Sequence, residues 1–288
     1  MTALTAFDLD DSGKIDLNGI YDQPDPRDYY QTLTNLGYCI PDEAAPVFRS
    51  VVAGERAARG IDRLTIVDVG CSYGVNAAIL KHGRSMADLY SAYSARQSGA
   101  LSRRELFARD RSFYQSGNGD RQLDFVGLDV AAKALGYACQ AGILDGGVAA
   151  DLEQRAPAPM EARLLAPTDL VISTGAIGYV GAPTFDHILD ASTRQPWFAL
   201  FALRMFPVDA IAKALAGRGY AVFRLVDRTF KQRRFAGRTE SSEVLANLAA
   251  LGIDPTGLEA DGWYHAEFFF ARPESESAPP PIAGLVRI

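Results

Sequence analysis

The sequence predicts an α/β protein with a mainly parallel, doubly wound sheet, and three observations carry that prediction. After residue 60, short apolar runs alternate with segments of helical period. The runs are rich in Val, Ile, Leu and Phe with little polar alternation, as expected of strands covered on both faces. One junction, "IVDVGCSYGVNAAIL" (residues 66–80), passes from strand to helix through two glycines four apart. Such a turn lets backbone N–H groups approach a bound ligand closely.

In chain order, residues 1–18 are polar and read as a flexible leader. "PDPRDYYQTLTNLGYCIP" and "EAAPVFRSVVAGERAARG" space apolar residues helically between prolines, giving an N-terminal helical lid over 19–60. The core domain, 61–272, opens with strand "LTIVDVG" and helix "GVNAAILKHG". Strand "DFVGLDV", helix "AAKALGYACQAG" and strand "GGVAADLE" follow. "TDLVISTGAIGYV" and "PWFALFALRMF" are strands separated by the helix "PTFDHILDAST". "VDAIAKALAGRG" is a helix, and "YAVFRLVDRTF" and "WYHAEFFFAR" are the last strands. Helical insertions are expected at 85–121 ("MADLYSAYSAR", "SRRELFARDRSFYQ") and 231–262 ("TESSEVLANLAALG"). The Pro-, Ser- and Glu-rich residues 273–288 read as a flexible tail.

Bulk properties exclude several functions. A net charge of −6 argues against a general nucleic-acid binder, which needs a basic face. No apolar run approaches the roughly 20 residues of a membrane helix, and "MTALTAFDLDDSGK" is too acidic for a signal peptide. Cys39, Cys71 and Cys139 are far apart and form no CxxC pair, which fits a reducing cytoplasm. His82, His187 and His265 show no metal-ligand spacing. "DLDDSGKIDLNG" matches a calcium loop at Asp8, Asp10, Ser12, Gly13, Ile15 and Asp16, but Gly19 stands where the bidentate Glu belongs, so a polar leader is the better reading. No metal is expected.

The glycine turn lacks the lysine of a P-loop, and Ser72 and Val75 break a GxGxxG dinucleotide fingerprint. What remains is Asp68-x-Gly70-x-Ser72-x-Gly74. This resembles the first motif of class I S-adenosylmethionine-dependent methyltransferases, whose fold is a Rossmann-like sheet of about seven strands with the last antiparallel. The resemblance implies S-adenosyl-L-methionine as cofactor and S-adenosyl-L-homocysteine as product. It assigns Asp68 to the cofactor's ammonium group, and Gly70, Ser72, Tyr73 and Gly74 to its methionine moiety. Asp129 with Val130 falls where the family binds the ribose, and Asp151 with Leu152 where it meets the adenine. Ser173, Thr174 and Gly175 would lie beneath the sulfonium. One departure stands out: Asp129 follows Gly70 by nearly sixty residues, where a spacing of about twenty is usual. The 85–121 insertion accounts for the difference and is expected to be a lid or substrate element. A Rossmann-like protein holding another ligand is the alternative.

On the acceptor side, His265 is the best candidate base, with Glu267 on the same strand face by period-two alternation. Tyr179 and Tyr264 are candidates to line the reacting groups, and Arg204 to pair with a substrate carboxylate, although a structural ion pair serves Arg204 equally well. His82 and His187 read as packing histidines, and "KQRRFAGR" as a solvated loop near the cleft rim. Residues 15–272 further resemble bacterial L-methionine S-methyltransferases, which feed dimethylsulfoniopropionate synthesis, through "IYDQPDPRDYYQTL", "DVGCSYGVNAAILKHG" and "WYHAEFFF". That resemblance implies a small-molecule acceptor, methionine, and S-methylmethionine as product. O- or N-methylation of a secondary metabolite, and cofactor binding without catalysis, remain as alternatives. A nucleic-acid substrate is disfavoured because "STGAIGYV" replaces an Asn/Asp-Pro-Pro-Tyr-like segment, and the sequence leaves a homo-oligomer open.

Overall fold

The computed structural model describes residues 9–10, 13–15, 17–276 and 279–288. Three helices lead in: α1 (Asn18–Tyr21), α2 (Arg27–Asn35) and α3 (Ile40–Arg59). The last carries Pro41, Asp42 and Glu43 in its first turn and Arg56 and Arg59 in its last, matching the helix dipole at both ends. Then come β1 (Leu64–Val69), α4 (Val75–Leu80), α5 (Met86–Tyr93), α6 (Ala95–Ser98), α7 (Arg103–Gln115), β2 (Leu123–Asp129), α8 (Ala132–Gln140) and β3 (Gly146–Ala149). The second half comprises α9 (Pro159–Leu165), β4 (Leu170–Ser173), α10 (Ala182–Ala191), β5 (Trp197–Leu203), α11 (Asp209–Gly217), β6 (Tyr220–Leu225), β7 (Phe230–Arg234), α12 (Arg238–Ala250), β8 (Trp263–Pro273) and β9 (Leu285–Arg287).

All the strands join one sheet in the order β3-β2-β1-β4-β5-β8-β6-β9, with β7 paired to β8 off this path. β1 to β5 run parallel, whereas β8 is antiparallel to both β5 and β6. The winding reverses between β1 and β4, so a crevice opens at their carboxyl ends.

Alternation along the strands divides the core between two faces. Leu64, Ile66, Ile172, Ala199, Phe201, Phe268 and Phe270 meet α3 through Phe48, Val51 and Val52. Val67, Val69, Val171, Phe198, Leu200 and Phe269 meet Phe185 and Ile188 of α10 and Ile211 and Leu215 of α11. Each such side chain contributes about 1.5–3 kcal/mol by leaving water. The inserted helices α5–α7 pack under α2: Tyr30 stacks on Tyr93 at 4.5 Å, and the Tyr93 hydroxyl donates to buried Asp110 at 2.7 Å.

Four expectations need correction. The sheet has nine strands rather than about seven. The run "YAVFRLVDRTF" splits, because the chain bends after Leu225 and Phe230–Arg234 forms β7 against the first half of β8. Hence 231–262 begins as strand and turns helical only at α12. The tail expected to be flexible adds β9 to the β6 edge, with Ile282 and Leu285 against the core. Of the leader, Ile15 and Leu17 are buried, and Leu9 bridges Ile15. Asp8, Ser12 and Asp16 of the calcium-loop match lie outside the described residues, and the described residues hold no group of three metal ligands.

Candidate functional site

β1 is apolar but for Thr65 until Asp68, which is fully buried and, by alternation from Ile66, faces the α3 side. The chain then turns on three left-handed residues, Gly70 (φ 74°), Ser72 (φ 48°) and Gly74 (φ 77°). Two constraints fix Gly70, since a Cβ there would also stand 2.5 Å from the Ala176 Cβ in the loop after β4. Ser72 is the one non-glycine residue with positive φ among the described residues, a conformation costing on the order of 1 kcal/mol. It is held by its own N–H, which donates to Asp129 Oδ2 at 2.7 Å.

Asp68 Oδ1 accepts from Asn76 Nδ2 at 3.0 Å, and the same amide donates to Thr174 Oγ1 at 3.2 Å. Burial pushes the Asp68 carboxyl up to about 7; the Asn76 bond opposes the shift and the Asp129 charge adds to it. Asp68 Oδ2, Ser72 Oγ and Asn76 Oδ1 are buried and make no hydrogen bond among the described residues. Buried oxygens normally have partners. Asp68 Oδ2 and Asn76 Oδ1, on two side chains joined by a hydrogen bond, are acceptors suited to a cationic donor, and the Ser72 hydroxyl follows on the same turn.

At the end of β2, Asp129 also accepts from the Ala131 N–H at 2.9 Å. Burial raises its carboxyl, and the backbone donors of Ala131, Ser72 and Val130 limit the rise. Each Asp129 oxygen keeps a lone pair for a hydroxyl. Val130 beside it is 70% exposed, a large apolar side chain open to a flat ligand, whereas Leu152 is core and Asp151 lies exposed, accepting from the Glu153 N–H.

The N-terminal segment crosses the carboxyl ends of these strands like a strap. The Tyr179 hydroxyl donates to Asp10 at 2.7 Å, the Ile15 N–H donates to Glu240 at 2.8 Å, and Lys133 at the start of α8 pairs with Asp22. Tyr73, fully buried, exchanges hydrogen bonds with the Gln23 backbone at 2.9 and 3.1 Å, so its hydroxyl ties the glycine turn to the strap. Tyr38 lies beside Thr174 and Asp68. Its neighbour Cys39 donates its N–H to the Gln232 carbonyl of β7. Gln232 Nε2 in turn lies over Gly175.

Of the acceptor-side candidates, Tyr179 and Tyr264 share a neighbour in Lys14, whereas His265 and Arg204 lie apart from them. Tyr264 belongs to the cluster on the Asp68 face, whereas His265 follows it on β8 and shares a face with Phe269 and Ala271, which pack against α10 and α11. The His265 ring bonds Thr229 at 2.9 Å, and burial with nearby Lys231 and Arg204 lowers its pKa to about 4. Arg204 takes the structural role, its guanidinium closed on Glu259 at 2.6 Å and on the Asp254 carbonyl. Ser173 Oγ donates to the Val69 carbonyl and is likewise structural. His82 bonds two backbone carbonyls in the core, as a packing histidine does, and His187 bonds the Leu152 carbonyl.

Four residues at the site escaped sequence reasoning: Lys14, Tyr38, Asn76 and Arg233. Arg233 belongs to the run expected to be solvated, yet it is buried in a two-pronged pair with Glu240 at 2.6 and 2.9 Å. Period-two alternation could not have found it, because Gln232 and Arg233 are both buried where β7 shifts register against β8, while Lys231 is exposed.

An antiparallel strand between the fifth and sixth strands of an otherwise parallel 3-2-1-4-5 sheet defines the Rossmann-like class I methyltransferase fold. No protein-family model matches the sequence, and no curated protein matches it. Solved structures that overlay it include magnesium protoporphyrin IX methyltransferase from Synechocystis PCC 6803 with bound S-adenosylmethionine, at 17% identity over 80% of both chains with a TM-score of 0.36. A TehB-like S-adenosylmethionine-dependent methyltransferase from Corynebacterium glutamicum overlays 80% of this chain and 96% of its own at 14% identity, TM-score 0.37. The plantazolicin methyltransferase BpumL covers 82% and 85% at 9% identity, TM-score 0.39. The fold assignment rests on strand order and direction.

Proposed function

We propose that the protein is an S-adenosylmethionine-dependent methyltransferase acting on a small molecule, with the thioether of L-methionine as its acceptor. The observation that carries the reading is the set of buried oxygens Asp68 Oδ2, Ser72 Oγ and Asn76 Oδ1, which have no hydrogen-bond partner among the described residues and lie in or just after β1 and its glycine turn. The residues fit the cofactor: Asp68 takes the ammonium, Asp129 the ribose hydroxyls, and Val130 offers an apolar surface to the adenine. When bound, the cofactor supplies a methyl group on a positively charged sulfur. The protein's part is to align the acceptor opposite that sulfur and to exclude water, with the strap of residues 17–39 as the lid.

The acceptor's identity is supported by the lack of a free histidine or phenolate base on the Asp68 side among the described residues. His82, which packs on that side, is closed on the Tyr114 and Ile143 carbonyls, and burial holds the Tyr38 and Tyr264 hydroxyls well above their ordinary range. A thioether needs no base. Its lone pair forms the new C–S bond as the old one breaks, the leaving sulfur keeps the electron pair, and no proton moves.

Purified protein incubated with methyl-labelled S-adenosylmethionine and L-methionine tests this by mass spectrometry. Labelled S-methylmethionine at catalytic rates is the expected product. Product on hydroxyl, amine or carboxylate acceptors alone would replace the acceptor and keep the class. S-adenosylhomocysteine binding without turnover on any acceptor would leave a non-catalytic binding protein.

A further inference from the structure

Lys14 is 8% exposed and reaches under the strap toward two aromatic rings. Its Nζ lies 5.0 Å from the Tyr179 ring centre and 5.9 Å from that of Tyr264, and it enters none of the ion pairs found among the described residues. Arg233 covers the Tyr264 ring at 4.6 Å. Glu240 already neutralises Arg233 and also accepts the Ile15 and Ala236 N–H groups, so its carboxylate is fully engaged. The Tyr264 hydroxyl lies beside Glu240 and makes no hydrogen bond of ordinary geometry among the described residues. A buried ammonium without a carboxylate is costly unless something anionic meets it. Burial, then Arg233, lowers the Lys14 pKa to about 8, with Asp10 and Glu240 opposing, so the group is still mostly a cation at neutral pH.

We propose that Lys14, backed by Arg233 and walled by Tyr179 and Tyr264, is a carboxylate subsite that selects acceptors bearing a carboxylate. This rests on the methyl-transfer reading above and extends it to a substrate class. The cofactor has a carboxylate of its own. Lys14 lies between Tyr264 of β8 and Tyr179 of the loop that follows β4, the strand beside β1, so strand spacing does not by itself assign Lys14 to either carboxylate. The S-adenosylhomocysteine arm of the test separates the two.

The test uses the full chain saturated with S-adenosylhomocysteine and three acid–amide pairs: L-methionine with L-methioninamide, 3-(methylthio)propanoate with its amide, and 4-hydroxybenzoate with its amide. Calorimetry is expected to show at least one acid bound about 30-fold or more tighter than its amide, the range expected when one buried charge-assisted hydrogen bond is lost. In Lys14→Met that preference falls to within threefold, while Lys14→Arg retains it and S-adenosylhomocysteine affinity moves less than threefold. Lys14→Gln repeats the comparison if the methionine variant fails to fold. The proposal is overturned if the wild type binds no acid or does not distinguish acid from amide, or if the charge-removing variants keep the preference. It is equally overturned if they weaken S-adenosylhomocysteine tenfold while acid selectivity survives, since Lys14 then serves the cofactor. Should S-adenosylhomocysteine not bind the wild type, the methyl-transfer reading falls, and the same acid–amide comparison without it decides the subsite by the same thresholds.

Discussion

Asn76 holds Asp68 from one side only: its amide donates to Oδ1 at 3.0 Å and leaves Oδ2, in a fully buried position, without a partner among the described residues. A carboxylate kept half-satisfied in the core lowers stability, as expected of a group reserved for the ammonium in the proposed function. Asp68→Asn is therefore expected to weaken S-adenosylhomocysteine binding by about 100-fold, the scale of a lost charge-assisted contact. The melting temperature should be unchanged or raised, because a buried charge is removed. Calorimetry beside thermal denaturation reads both; a variant that binds normally would remove Asp68 from the site.

The pH dependence follows from the same residue. Its folded pKa, about 7, lies above the ordinary carboxylate value. The group is neutral below that pH and anionic above it, so attraction for an ammonium is full at higher pH and lost as pH falls through 7. S-adenosylhomocysteine affinity should drop between pH 8 and pH 6, by up to about tenfold per unit at the acid end. A flat profile would contradict this assignment, and Asp68→Asn should flatten it.

Arg233 and Glu240 are both almost wholly buried, with side chains 4% and 0% exposed. Removing one partner strands the other's charge, so Glu240→Leu should cost about 3–5 kcal/mol in urea unfolding. The double variant Arg233→Met/Glu240→Leu should recover most of that loss. If the single variant is as stable as the wild type, the pair does not anchor β7 to α12.

His265→Ala tests the base-free reading. Because its ring lies on the face of the sheet opposite Asp68, kcat should stay within about threefold of wild type, against the 100-fold or larger loss expected when a general base is removed. A large loss of kcat with unchanged cofactor binding would restore His265 to the chemistry and favour a hydroxyl acceptor.

Gly70→Ala joins a disfavoured φ of 74° to a Cβ placed 2.5 Å from that of Ala176. A destabilisation of about 1–3 kcal/mol is expected in denaturant titration. A variant as stable as the wild type would mean that the loop after β4 yields at little cost.

By itself, the sequence determined the alternation of parallel strands and helices, the left-handed glycine turn after β1 and the placing of Asp68 and Asp129 at strand ends. These are local matters: side-chain period, glycine spacing and the polar residue that stops an apolar run. In "YAVFRLVDRTF" the strand character is legible locally but its extent is not. Where a strand stops in "YAVFRLVDRTF" depends on which neighbour it pairs with, and β7 exists because the first half of β8 offers it an edge. The last strand, β9, likewise forms on the free edge of β6 despite a proline-rich approach.

Only the tertiary structure decided which face each candidate residue occupies relative to the crevice. Adjacent residues on a strand point to opposite sides, so Tyr264 and His265, neighbours in sequence, belong to different layers. Conversely Lys14 and Arg233, far apart in the chain, flank the same ring because a polar leader folds back across the sheet. Local pattern fixes the elements and the turn; the non-local packing that closes the strap over the strand ends fixes the chemistry beside it.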